Sequence, residues 1–188
     1  MSAARLFVAL VPPATVQAEL AELAEPLAGT RWTPADNIHL TLRFIGETEP
    51  DKQERFEEAL ARVRVEPFIL PVGGIGTFTG RGPARVLWCG VGSSHTRLYQ
   101  LRKQVDEALL TVDSGLPMPG FHPHFTIARL DPEHEPKAIA HFIERQAGFE
   151  APPFRVAEFQ LLASELRPGQ PPVYRTVRRF PLDRGSNL

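Results

Sequence analysis

Two six-residue segments, HLTLRF at 39–44 and HFTIAR at 124–129, constrain this chain more than anything else in it. Each opens on a histidine, carries a threonine two positions on, and sets apolar residues between. In a strand, residues two apart share a face. His39, Thr41 and Arg43 are thus expected on one side of the first segment, with Leu40, Leu42 and Phe44 packed behind. His124 and Thr126 share a side of the second, with Phe125 and Ile127 behind. Polar groups on one side of an apolar strand need water or a task. With six histidines and 11 threonines in 188 residues, chance supplies about 0.35 His-x-Thr triplets. Two in matching contexts therefore favour one site built from both. The histidines lie 85 residues apart (124 minus 39), near half the chain. Two similar lobes related by a pseudo-twofold axis would set the two strands against each other.

The rest of the chain supplies elements for such lobes. Residues 5–11 (RLFVALV) form a short apolar run stopped by Pro12 and Pro13, which suit the first turn of a helix. Val16, Leu20, Leu23 and Leu27 then recur at helical spacing up to Gly29. RWTPADN reads as a turn, and 38–46 alternates as a strand. Residues 51–63 make a second helix with Phe56, Leu60 and Val63 inward. Residues 68–78 are strand-like but broken by Pro71 and glycines, and 84–91 is a strand. Ser93 or Ser94 can cap a helix from about His95 to Val112. After a Pro/Gly loop, 124–130 is a strand, followed by a helix with Ile139, Phe142 and Ile143 inward. Residues 154–166 and 173–182 read as two closing strands.

Composition narrows the partners. A formal net charge of −1 gives no global field for holding a polyanion, so a nucleic acid must be gripped locally. A single cysteine, Cys89, excludes an intrachain disulfide and fits a cytoplasmic setting. The apolar N-terminal run is too short for a membrane span. Nothing in the charge pattern demands a dimer, and a monomer is expected.

The segments HLTLRFIGE and FHPHFTIAR resemble the two signature motifs of the two-histidine phosphoesterase superfamily. More narrowly, the chain is similar to the RNA 2',3'-cyclic phosphodiesterases, also called 2'-5' RNA ligases. RLFVALVPP, RWTPADNIHLTLRFIGE, PARVLWCGV, FHPHFTIARL and the closing strand pair match that family's layout in order, over essentially the whole chain. The resemblance implies a single bilobal α/β domain over 1–188. Two antiparallel β-sheets would line a central cleft, with helices outside and one His-x-Thr strand from each lobe. It implies a substrate of RNA with a 2',3'-cyclic phosphate end, tRNA fragments among them, and no cofactor or metal.

The chemistry explains the residue types. Opening a cyclic phosphate needs a base to take a proton from water and an acid to give one to the leaving ribose oxygen. Imidazole suits both tasks near neutral pH. In-line displacement puts the two on opposite sides of phosphorus, and the threonine hydroxyls can donate to its non-bridging oxygens. The motifs are nearly symmetric, so the residues alone do not divide the roles. The resemblance implies His124 as proton acceptor, His39 as proton donor, and a 2'-phosphate product. Other readings stay open: a phosphodiesterase for a small cyclic nucleotide or a 2'-5' oligonucleotide, or a non-catalytic RNA- or nucleotide-binding module.

Further residues are candidates for substrate contact. Arg129 matches an arginine that contacts the nucleotide in the family, yet strict alternation turns it away from His124 unless the strand bulges. Arg43 shares the expected face of His39 and can orient phosphate or pair with a carboxylate. Phe78, beside a Gly-rich loop, can stack on a base. Phe7 can do the same, though its apolar run suits the core. His122 is expected to shape the start of the second motif strand; with His124 it lacks the further ligands a metal needs. Arg175, Arg178 and Arg179 suit a solvated strand edge or a modest RNA-facing patch.

Overall fold

The computed structural model describes residues 4–78, 82–92, 96–165 and 171–183; the expected cap at Ser93 or Ser94 and the adjoining His95 lie outside them. The order of elements is β1 (Ala4–Leu10), α1 (Ala14–Ala21), β2 (Thr30–Trp32), a 3-10 turn (Ala35–Asn37), β3 (Leu40–Thr48), α2 (Pro50–Leu60), β4 (Phe68–Gly73), β5 (Ile75–Thr77), β6 (Val86–Cys89), α3 (Thr96–Val112), β7 (Phe125–Leu130), α4 (Pro136–Arg145), β8 (Glu150–Val156), β9 (Glu158–Glu165) and β10 (Val173–Pro181).

Eight strands form one sheet in the order β10–β9–β1–β3–β7–β6–β5, with β2 also on β7, and β4 pairs with β8 in a second sheet. Every strand pair is antiparallel. The large sheet has a seam: β3 and β7, the two His-x-Thr strands, pair at Leu40↔Phe125 alone. On one side of the seam lie β1, β9 and β10; on the other lie β2, β6 and β5. Both motif strands begin at the seam and run away from it in opposite directions.

One face of the sheet carries the main core. Leu6, Val8 and Leu10 of β1 pack there with Val16 and Leu20 of α1, Phe56 and Leu60 of α2, Leu98, Leu101 and Val105 of α3, and Phe142 of α4. β8 backs the second motif strand, its Phe154 ring 6.4 Å from that of Phe125. Among the described residues the opposite face has only a small cluster of Phe7, Ala9 and Leu162, with Tyr174 against it.

Three expected elements differ. The first helix stops at Ala21 rather than reaching Leu27. Pro26 cannot donate to a helical carbonyl and disfavours helix before it, so Leu23 is buried from a turn instead. RWTPADN is not wholly a turn: Thr30–Trp32 pairs with Leu130, Arg129 and Ala128 of β7. There the Trp32 indole donates to the Glu25 carbonyl at 2.8 Å and its ring meets Phe142. The single strand expected over 154–166 is two strands as far as Glu165, because the chain leaves β8 at Val156 and resumes in the large sheet at Glu158. The break in 68–78 falls at Gly74, whose φ of 78° only glycine adopts without strain.

Candidate active site

The seam places the two motifs in register. Antiparallel pairing of Leu40 with Phe125 carries Thr41 toward His124 and His39 toward Thr126, one step to either side. Residues opposite one another in an antiparallel pair share a face. Leu40 and Phe125 are fully buried in the core, so these four polar residues stand on the other face. In this register each histidine lies one step from the paired position, on the side of the other strand's threonine.

Both imidazoles are held the same way. His39 Nδ1 lies 2.8 Å from the Asn37 carbonyl, and His124 Nδ1 lies 2.7 Å from the His122 carbonyl. A carbonyl only accepts, so Nδ1 carries the proton and Nε2 is left for chemistry. The first support is anchored further. Asn37 Nδ2 donates to the Pro172 carbonyl at 2.8 Å, and the buried Gln17 amide donates to the Ile38 carbonyl at 3.1 Å.

Aromatic rings surround each histidine. The His39 ring is 5.0 Å from Phe7 and 5.0 Å from Tyr174, which meets it edge-on. The His124 ring meets Phe78 edge-on at 4.9 Å, and Phe78 also touches His122 and Trp88. Trp88 is directly opposite Thr126 in the ladder, and its ring lies across Gly76, where a Cβ would come within 2.6 Å of it. Gly76 thus makes room for an indole.

This setting holds both histidines neutral. Burial pushes His39 from 6.5 down to about 4; the Asn37 carbonyl opposes the shift, while His124 and Arg129 add to it by like charge. Burial also lowers His124, opposed by the His122 carbonyl and reinforced by His122 and Arg129. Tyr174 is raised by burial, against Arg129 and Arg5. The Arg129 guanidinium therefore acts on both histidines across the seam.

Arg129 reaches that face through a bulge. The ladder with β6 pairs Thr126 with Trp88 and Ala128 with Leu87, leaving Ile127 as the extra residue. Ile127 and Ala128 both turn into the core, and exposed Arg129 returns to the open face. The first motif does the same. Thr41 pairs with Ala9 and Arg43 with Val8, leaving Leu42 extra.

That bulge corrects the expected place of Arg43. It is on the core side, 1% exposed, and Phe44 rather than Arg43 shares the face of Thr41. Arg43 Nη1 lies 3.1 Å from Asp106 Oδ1 and its Nη2 donates to the Pro117 carbonyl. Arg102 Nε donates to Asp106 Oδ2 at 2.6 Å, and its Nη1 donates to the Leu42 carbonyl at the bulge. Arg43 is part of the scaffold behind the site and does not reach the open face.

The remaining candidates divide. Phe7 is 3% exposed, so it backs His39 and offers no free ring face; Phe78 is 39% exposed. Arg178 and Arg179 face Glu57 and Glu158 at 3.7 and 3.2 Å on the edge strand β10, which fits a solvated edge rather than an RNA-facing patch. Sequence reasoning missed Trp88, Tyr174 and Phe44. Tyr174 alternates with Thr176 in β10 and was within reach of a period-two reading; Phe44 was hidden by the bulge. Among the described residues, no group of three His, Cys, Asp or Glu side chains is arranged to hold a metal ion. Cys89 is buried, its thiol pushed up to about 12 by burial.

Known proteins share both sequence and fold. The chain is 31% identical over 162 residues to an RNA 2',3'-cyclic phosphodiesterase of Aeropyrum pernix, covering 84% of this chain and 92% of that protein. It is 31% identical over 184 residues to one of Thermotoga maritima, covering 92% of each. The crystal structure of E. coli LigT in apo form superposes with a TM-score of 0.76 at 28% identity, over 97% of this chain and 99% of that one. That protein has also been solved with 3'-AMP. Residues 10–88 and 91–173 match the LigT-like phosphoesterase family. With two histidines and two threonines converging on one open face, and this likeness along nearly its whole length, the chain belongs to the LigT-like phosphoesterase family.

Proposed function

We propose that this phosphoesterase opens RNA 2',3'-cyclic phosphate ends to 2'-phosphates without a metal or other cofactor. The observation that carries the reading is the seam, where the Leu40–Phe125 pair sets the two His-x-Thr motifs in antiparallel register, His39 toward Thr126 and His124 toward Thr41. The relatives named RNA 2',3'-cyclic phosphodiesterase supply the substrate class.

In the displacement, His124 Nε2 takes a proton from water as its oxygen attacks phosphorus. The bond from phosphorus to the 3'-oxygen breaks, and His39 Nε2–H protonates that oxygen. Thr41 and Thr126 donate to the non-bridging oxygens, and Arg129 balances their charge. His39 is neutral in the empty site, so the anionic substrate must raise its affinity for a proton, and substrate and proton bind together. Phe78, with Trp88 behind it, offers a stacking surface for a base. With a 5'-hydroxyl in place of water, the same displacement joins two RNA ends by a 2'-5' linkage without ATP. We read the chain as one bilobal domain acting as a monomer, the seam being its pseudo-twofold axis.

The test incubates the purified protein with EDTA and either an RNA ending in a 2',3'-cyclic phosphate or a 2',3'-cyclic mononucleotide. Ring opening to a 2'-phosphate is expected. A 3'-phosphate product overturns the division of roles between the histidines. Activity abolished by EDTA overturns the metal-free scheme, and failure to open either substrate overturns the function.

A further inference from the structure

The two bulges make the motifs equivalent beyond their threonines. In each, the fifth residue after the histidine returns to the open face: Arg129 after His124 and Phe44 after His39. The sheet therefore presents a guanidinium on one side of the seam and a phenyl ring at the matching place on the other.

Phe44 is not a core residue. It is 65% exposed, more than any other large hydrophobic side chain among the described residues. Among the described residues its one ring neighbour is Phe7, at 6.0 Å, and Phe7 in turn contacts His39 at 5.0 Å. A shelf of rings thus runs from the imidazole outward, ending in a ring with a free face. Thr41 to Phe44 spans about 10 Å at strand rise, so Phe44 is removed from the reacting phosphorus. Most of the Phe44 ring stands in water, and among the described residues no other ring lies over it. The shelf also carries Arg5, on the face of Phe7 two residues earlier and close enough to act on the Tyr174 phenol. A flat apolar ring with a guanidinium nearby and a phosphate site at one end suits an RNA strand better than a protein partner.

We propose that Phe44 stacks on the nucleobase next to the terminal one, so that the site engages the last two nucleotides of an RNA ending in a cyclic phosphate. The proposal rests on the reading of the site as an RNA-end phosphodiesterase, and names the part of the strand it grips. Arg129 serves the phosphate and Phe44 the base, which makes an otherwise symmetric seam directional.

The experiment compares wild type with Phe44→Ala and Phe44→Trp on two substrates, a 2',3'-cyclic mononucleotide and a dinucleotide ending in the same cyclic nucleotide. Binding of the corresponding 2'-phosphorylated mononucleoside and dinucleotide is measured by calorimetry, which needs no turnover. Phe44→Ala is expected to weaken the dinucleotide about ten-fold more than the mononucleotide, in KM and in Kd, as loss of a stacked aromatic does. Phe44→Trp is expected to restore the difference. An equal effect on both ligands, or a wild type that binds both equally, overturns the proposal. A wild type that prefers the dinucleotide in binding but opens neither substrate leaves the proposal standing and overturns the proposed function instead.

Discussion

At the scale of single residues, the two histidines have the same support and unequal surroundings. His39→Ala and His124→Ala are each expected to lower kcat by about 10²–10⁴-fold, the usual worth of a general acid or base. Far-ultraviolet circular dichroism should be unchanged; near-normal turnover in either variant removes that histidine from the mechanism. Their protonation predicts the pH profile. Both lie below 6.5 in the free site, with His39 at about 4. In the free enzyme the base must be neutral and the acid protonated, so kcat/KM should form a bell with its maximum below pH 6.5. Bound phosphate raises His39, which moves the kcat bell to higher pH. A kcat/KM maximum above pH 7 contradicts this ordering. The His-x-Thr residues were legible in the chain because period-two spacing places them on one face whatever surrounds them. The exposure of Phe44 and burial of Arg43 were not, since one extra residue in a strand reverses everything after it.

At the scale of elements, the β3 bulge and the α3 helix are locked by a buried cluster. Asp106 of α3 lies between Arg43 and Arg102, and Arg102 also holds the Leu42 carbonyl at the bulge. Asp106→Asn keeps the shape but leaves two buried guanidiniums without a countercharge. It should destabilise the protein by about 3–5 kcal/mol, read from urea unfolding; a loss below about 1 kcal/mol indicates that the cluster contributes little. The β5–β6 hairpin makes a second prediction. Gly76→Ala places a methyl within 2.6 Å of the Trp88 ring, so the indole must shift. Altered tryptophan emission and weaker binding of a 2'-phosphorylated nucleotide are expected; an unchanged affinity separates Trp88 from the substrate. The sequence marked 68–78 as a broken strand from its glycines. It did not show what Gly76 accommodates, because the indole arrives from the neighbouring strand.

At the scale of the whole molecule, the seam burdens the fold as well as building the site. His39 titrates near 6.5 unfolded and about 4 folded, so between those values the unfolded chain binds more protons. Stability from this group is complete above pH 6.5 and falls as pH drops toward 4, by on the order of 3 kcal/mol. His39→Gln should flatten this limb in denaturation measured from pH 4 to 8, and an unchanged slope in the variant assigns the limb to other groups. By itself the sequence determined the α/β class, the elements near both motifs, and the four residues proposed for the site. Those follow from local periodicity and from the chemistry of imidazole and hydroxyl, which need no neighbour to be read. Tertiary structure alone decided that the strands meet at one residue pair, that each histidine crosses to the other's threonine, and that Arg129 and Phe44 reach the open face. Register and bulges depend on which strands become neighbours, and no local pattern in either strand encodes its partner.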